Sequence, residues 1–289
     1  MKGCYETETL QIEITNHCIN SCSNCTRFCG HHYKPYYMDF DFFCHAVDCS
    51  APSPNFLGIM GGEPLLHPDF EKMCLYIQNR KPKEKLALWT TMPKGYEKYA
   101  DIICETFGNI LINDHSKYIY HAPVLVQSQE LIKDREDLFI VTNHCWLQEH
   151  WSSSINPKGA FFCEIAASLS MLLGGSEGWP VAPGWWKRTP KDFKEQVEEF
   201  CPQCGISIDF ERRISKDGRD DISPDMVDKL RGKSRKVDTG KYVVSNMRVV
   251  ENPSPLGKYK DLKYRQEIAK RYGIALVMNS KGYLRPIKL

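Results

Sequence analysis

Cys18, Cys22 and Cys25 stand in a Cys-x3-Cys-x2-Cys spacing near the start of the chain. The residues between them, Asn20, Ser21, Ser23 and Asn24, are turn formers with weak helix propensity. They argue for a loop wrapped around a compact object rather than a helix with three small thiols on an apolar stripe. Three thiolates on a short loop can hold three irons of a cubane and leave the fourth open to a substrate or cofactor. A second element, Gly61-Gly62-Glu63-Pro64, runs into Leu65-Leu66-His67-Pro68. Its glycines permit close backbone approach, and its carboxylate can accept hydrogen bonds from an ammonium group. Alone it reads equally as an ordinary turn before a helix. Thr90-Thr91 adds two hydroxyls at the end of a further apolar run.

A second group of thiols lies downstream. Cys201 and Cys204 form a Cys-x2-Cys pair that Cys145 and Cys163 could complete to four. Asn156-Pro157-Lys158-Gly159 marks a hairpin turn between the upstream two, and Cys163 runs into a helix expected over Ile165–Leu173. Another helix, Lys191–Phe200, ends just before Cys201. An iron–sulfur cluster, a structural Cys4 zinc site and buried free thiols all fit this set. The chain holds 13 cysteines, an odd number, and MKGCYETETL carries no secretory signal pattern. In a reducing compartment that excess points to metal or cluster ligation rather than disulfides. Cys4, Cys29, Cys44, Cys49, Cys74 and Cys104 read as thiols packed in or near the core, one of which could serve as a hydrogen-atom donor. His31-His32 reads as a solvated or substrate-loop pair.

These residues need a frame to position them. Leu10–Thr15 alternates apolar and polar residues as a strand does, and five further short apolar runs read the same way: Phe56–Met60, Leu86–Trp89, Ile110–Ile112, Val124–Val126 and Leu138–Val141. Helical spacing at Asp69–Arg80 and Tyr96–Thr106 gives a βαβα rhythm and predicts a mostly parallel sheet. The connection between the fourth and fifth runs is too short for a full helix, which predicts an incomplete barrel. After Val141, Trp146, Trp151, Trp179, Trp185 and Trp186 mark a second module. A packed aromatic cluster explains them, with Trp185, Trp186 and Arg188 as secondary candidates for substrate contact. Beyond it, Ile206–Phe210, Lys241–Val250 and Ile274–Met278 read as strands, and Tyr264–Tyr272 as a helix ended by Gly273.

With its cysteine loop after the first strand and Gly61-Gly62-Glu63-Pro64 after the second, the chain resembles the radical S-adenosylmethionine (SAM) superfamily. The resemblance implies an α/β fold, a partial (trimmed) TIM barrel over residues 8–144. It implies that Cys18, Cys22 and Cys25 bind a [4Fe–4S] cluster whose unique iron chelates SAM, and that Gly61, Gly62, Glu63, Pro64 and Thr91 lie against that cofactor. Most members carry an aromatic residue before the third cysteine, where this chain has Asn24. The second cysteine group resembles the twitch domain, the shortened form of the SPASM domain. That implies a C-terminal cysteine-rich module over 145–205, in which Cys145, Cys163, Cys201 and Cys204 hold an auxiliary [4Fe–4S] cluster. Residues 206–289 form a basic extension of unassigned role.

On this resemblance, an electron from a donor such as flavodoxin or ferredoxin cleaves SAM at the first cluster. The 5′-deoxyadenosyl radical so formed takes hydrogen from a small polar substrate: a sugar, a cyclitol or a nucleotide sugar. The auxiliary cluster takes the second electron, giving a dehydrogenase-like oxidoreductase. No residue type or spacing identifies the catalytic base. Three other readings stand beside it: a redox-neutral epimerase, a peptide-modifying enzyme, and a zinc-binding interaction module docking through the basic tail. Only about nine residues precede the first strand, which counts against a peptide-binding domain there.

Composition narrows the class. Hydrophobic residues are 42%, charged residues 26% and aromatic residues 11%, which makes disorder, collagen-like repetition and coiled coil poor readings. The longest apolar stretch, around 165–175, is too short to span a bilayer, so no membrane partner and a cytoplasmic location are expected. The net charge of +2 divides into +9 for residues 205–289 and −7 for the remainder. That basic third suits an anionic substrate or acidic partner, or is simply a solvated Lys-rich surface. Without aromatic–basic interleaving, nucleic acid is not an expected partner.

Overall fold

The computed structural model describes residues 1–113, 119–150, 153–251, 262–278 and 284–289. Trp151, counted above in the tryptophan group, falls outside them. The first half alternates strand and helix: β1 (Thr9–Thr15), α1 (Phe40–Ser50), β2 (Phe56–Gly61), α2 (Phe70–Ile77), β3 (Leu86–Thr90), α3 (Ala100–Thr106) and β4 (Asn109–Ile112). There follow β5 (Tyr120–His121), α4 (Ser128–Leu131), α5 (Arg135–Asn143), α6 (Trp146–His150), the hairpin β6 (Ser154–Asn156) and β7 (Gly159–Phe161), α7 (Glu164–Leu173) and α8 (Lys194–Phe200). The last part holds β8 (Arg213–Ile214), β9 (Asp220–Ile222), α9 (Pro224–Leu230), α10 (Arg235–Asp238), β10 (Tyr242–Val244), α11 (Leu262–Lys270), β11 (Ile274–Met278) and β12 (Leu284–Lys288).

The central sheet runs β4-β3-β2-β1-β6-β7, with every pairing parallel except β6 with β7. This mixed α/β arrangement around a parallel sheet fits the expected partial barrel. Strand alternation divides β1 between two environments. Leu10, Ile12 and Ile14 pack into the main core with Phe43 and Val47 of α1 and with Phe70 and Met73 of α2. Gln11, Glu13 and Thr15 take the opposite face and are buried as well. On that face Gly58 leaves room for the Trp89 ring; a Cβ there would lie 2.0 Å from a ring carbon. The hairpin β6–β7, foreseen from its turn residues, joins this same sheet by pairing Gln11 with Ser154 and Ile12 with Ile155.

Three expected strands are not strands. Leu138–Val141 lies within α5, because Asp134 caps that helix by accepting the Asp137 N–H at 2.9 Å, and the cap outweighs the run's β-branched content. Val124–Val126 forms bends, and its carbonyls serve separate partners: Val124 accepts from Gly205 N–H at 2.9 Å and Leu125 from Ser223 N–H at 3.1 Å. Ile206–Phe210 is likewise a turn, and the strand expected over Lys241–Val250 is confined to β10. Helix α1 escapes the sequence reading although Asp39 caps it through the Asp41 and Phe42 N–H groups. Among the described residues no helix is long and apolar enough to cross a membrane.

Candidate functional site

The loop after β1 carries the first thiols. Cys18, Cys22 and Cys25 are partly buried, and the Asn20 N–H points at Cys18 Sγ at 3.4 Å. Cys29, expected in or near the core, stands beside them, and its thiol holds Cys25 below the usual range, at about 5. Burial, with the neighbouring Cys25 and Cys18 thiols, pushes Cys22 up. Soft sulfur donors on a loop that presents N–H groups to them suit an iron–sulfur cluster. Asn24, in the place of an aromatic residue, adopts a left-handed φ of 49° and is fixed by the C-terminal part of the chain. Its backbone N–H donates to Asp220 Oδ1 at 2.7 Å, its side-chain amide to Asp221 Oδ2 at 2.9 Å, and its Oδ1 accepts from Asp221 N–H at 2.8 Å.

Gly61 and Gly62 owe their identity to the neighbouring strand end. A Cβ on Gly61 would lie 2.2 Å from the Thr15 carbonyl oxygen, and one on Gly62 2.3 Å from that of His17. Glu63 is fully buried. One oxygen accepts from Thr90 Oγ1 at 2.6 Å and Leu65 N–H at 3.2 Å; the other accepts from Thr91 N–H and Oγ1, both at 2.7 Å. Burial raises its carboxyl above the ordinary range against these bonds. The structure thus brings Glu63 and Thr91 together, with Pro64 opening the short 3-10 turn that follows. Glu63 ties the end of β2 to the end of β3 and sets their height relative to the cysteine loop.

The four downstream thiols meet around one cavity. Cys145, Cys163, Cys201 and Cys204 line it together with Phe162, Ile165, Leu169, Phe200 and Ile206. Cys163 is the N-cap of α7. Cys201 continues from the end of α8, and Ser128 Oγ donates to its carbonyl at 3.0 Å. Burial first, then the neighbouring thiols, pushes Cys201 and Cys204 well above the usual range. Four thiolates in apolar surroundings need positive charge among them, and a cluster's irons would supply it. Among the described residues no three His, Cys, Asp or Glu side chains are placed to hold a single metal ion.

Between the two thiol groups lies a buried polar cage that no motif announced. Arg27, two residues after Cys25, places Nη2 2.7 Å from Oε2 of Glu164, the residue after Cys163. The same Nη2 donates to Gln11 Oε1 at 3.0 Å, and Arg27 Nε lies 3.7 Å from Glu13 Oε2. Tyr36 donates to Glu13 Oε1 at 2.9 Å. Burial raises the Glu13 carboxyl to about 7 against the pull of Arg27. Gln11 Nε2, Arg27 Nη1 and Ser154 Oγ are buried without a hydrogen-bond partner. The one sequence signal for this cage was the polar phase of β1, Gln11 and Glu13, in a strand buried on both faces.

One other reading changes, and the packed role of the tryptophans holds. His31 is fully buried between Ser234 Oγ at 2.6 Å and Asp220 Oδ2 at 2.5 Å, so it is not a solvated residue. Trp185 is core, its indole N–H donating to Ser50 Oγ at 3.0 Å, and the Arg188 guanidinium stacks 4.5 Å over Trp179.

No protein-family model matches the sequence, and no curated protein matches it either. The structure is similar to that of BtrN. The match, to BtrN in complex with AdoMet and 2-DOIA, has a TM-score of 0.44 and 12% identity, covering 68% of this chain and 88% of that one. BtrN is a radical SAM 2-deoxy-scyllo-inosamine dehydrogenase.

Proposed function

We propose that this chain is a radical SAM oxidoreductase of a small hydroxyl-bearing substrate. Cys18, Cys22 and Cys25 would hold a [4Fe–4S] cluster with one iron open to SAM, and Cys145, Cys163, Cys201 and Cys204 a second [4Fe–4S] cluster. The observation that carries the reading is the Arg27–Glu164 contact of 2.7 Å, which joins the segment just after Cys25 to the residue next to Cys163 inside a buried polar cage. On this reading the first centre would supply the hydrogen-abstracting radical and the second would accept the electron left on the substrate, so both must lie within reach of it.

When bound, the first cluster and SAM would supply a 5′-deoxyadenosyl radical for hydrogen abstraction, a step no side chain can perform. The protein's part is positioning and exclusion of water. Glu13, with its carboxyl near neutrality, is suited to accept the proton that leaves an alcohol during oxidation. Gln11 Nε2, Arg27 Nη1 and Ser154 Oγ each forgo about 1–3 kcal/mol while unpaired, which substrate hydroxyls would recover. Two carboxylates against one guanidinium suit a neutral or cationic polyol better than an anionic sugar nucleotide. A flavodoxin- or ferredoxin-type protein would deliver the electron.

The test is anaerobic reconstitution with iron and sulfide. About eight irons per chain are expected, falling to about four when Cys18, Cys22 and Cys25 are all changed to Ala. The wild type, given SAM and dithionite, should form 5′-deoxyadenosine, and the triple variant none. Two zincs and no sulfide would instead establish the interaction module. Cys29 beside the first thiols and Tyr36 in the cage favour one second reading, a redox-neutral epimerase with a hydrogen donor at hand. Solvent deuterium entering one substrate carbon without loss of mass would identify it.

A further inference from the structure

The basic C-terminal part, which neither the cysteine motifs nor the cage explains, closes on the first cysteine loop. Lys236 is 1% exposed, and its ammonium donates to the Cys22 carbonyl at 2.7 Å and to Asp220 Oδ1 at 2.6 Å. Its stem passes over Gly30, where a Cβ would meet Lys236 Cε at 2.5 Å. Asp220, also 1% exposed, binds the loop twice more, through the Asn24 N–H at 2.7 Å and His31 Nε2 at 2.5 Å. Asp221 holds the Asn24 side chain and is itself gripped by Arg213 through two bonds of 3.0 and 2.6 Å. Ser23 N–H donates to the Ser215 carbonyl at 2.8 Å. A charged lysine and aspartate buried side by side cost several kcal/mol of desolvation each, so packing alone is a poor reason for them.

We propose that residues 213–238 form a clamp on the cysteine loop in which Lys236 is a positioning residue, setting the reduction potential of the cluster held by Cys18, Cys22 and Cys25 through its charge at the Cys22 carbonyl. This rests on the cluster assignment made above. Reduction adds negative charge to a cluster, so a cation fixed at its loop favours the reduced form and an anion opposes it. Lys236 and Asp220 therefore act with opposite sign on the same centre, although both hold the same loop.

The experiment is an EPR-monitored redox titration of the reconstituted full chain without SAM, following the signal that the Cys18/Cys22/Cys25→Ala variant lacks. Lys236→Met should lower the reduced-to-oxidised ratio at a fixed poise about tenfold, equivalent to a 59 mV fall for one electron. Asp220→Asn should raise it, and Lys236→Arg should leave it near wild type. Shifts of the same sign in Lys236→Met and Asp220→Asn, or none in either, would overturn the proposal, because a merely structural clamp moves both alike. Should Lys236→Met hold no iron, the Asp220→Asn titration decides by itself: a raised ratio supports the charge role and an unchanged one ends it. A wild-type signal that the triple cysteine variant retains would sink the cluster assignment instead, so the two failures are distinct.

Discussion

Around Cys22 and Cys25 the chain is held by charge and backbone hydrogen bonds, through Lys236, Asp220 and Asn24. Around Cys163 and Cys204 it is held by apolar packing, from Ile165, Leu169, Phe200 and Ile206. Polar walls leave sulfur accessible to nearby charge and place it beside the cage of Arg27, Glu13 and Glu164. Apolar walls insulate. On the function proposed above, that difference suits the first site to chemistry that must sense a ligand and the second to storage away from water. Arg27–Glu164 is where the two regimes meet.

The second site gives the largest expected effect. With Cys201 and Cys204 both changed to Ala, reconstituted iron should fall from about eight to about four per chain while 5′-deoxyadenosine formation persists. Loss of both iron quotas, by iron analysis, would show that the sites do not form independently. Arg27→Met comes next, since it leaves Glu13 and Glu164 buried without their cation. A loss of about 3–5 kcal/mol in urea unfolding is expected, and a loss below 1 kcal/mol would remove the junction. Leu169→Ala, in the apolar wall, should cost about 2–5 kcal/mol by the same measurement and leave the first site's EPR signal unchanged.

The last expectation concerns pH. Glu13 is raised from 4.5 to about 7, so between those values the folded protein holds a proton that the unfolded chain has released. Its contribution to stability is present below the lower value and lost as pH rises through the upper one, at up to about 1.4 kcal/mol per unit. Glu13→Gln should flatten that decline in thermal melts of the holo protein between pH 4.5 and 7. Parallel curves for the two proteins would show Glu13 ionised throughout.

What could be read from the sequence was what local spacing encodes. Four strands of the sheet, the β6–β7 hairpin turn and both thiol groups follow from periodicity, turn formers and cysteine intervals. Short apolar runs such as Val124–Val126 and Leu138–Val141 misled, because three or four residues carry too little period to separate strand from helix or bend. The cage and the clamp were illegible for another reason. Arg27 and Glu164, or Lys236 and Cys22, meet only once the chain has folded, and a charged residue gives no sign in sequence that it will be buried. The tally of +9 in the last third pointed to a solvated surface, yet it contained Lys236.

The tight passage of Gly61 and Gly62 past Thr15 and His17 makes two distant stretches of sequence into one machined part. With no clearance for even a methyl group, the step that leads to Cys18 and the step that leads to Glu63 share a common datum. Neither can be adjusted alone, so tolerance to substitution at one is spent by the other, and a grafted version of this loop would have to bring both strand ends with it.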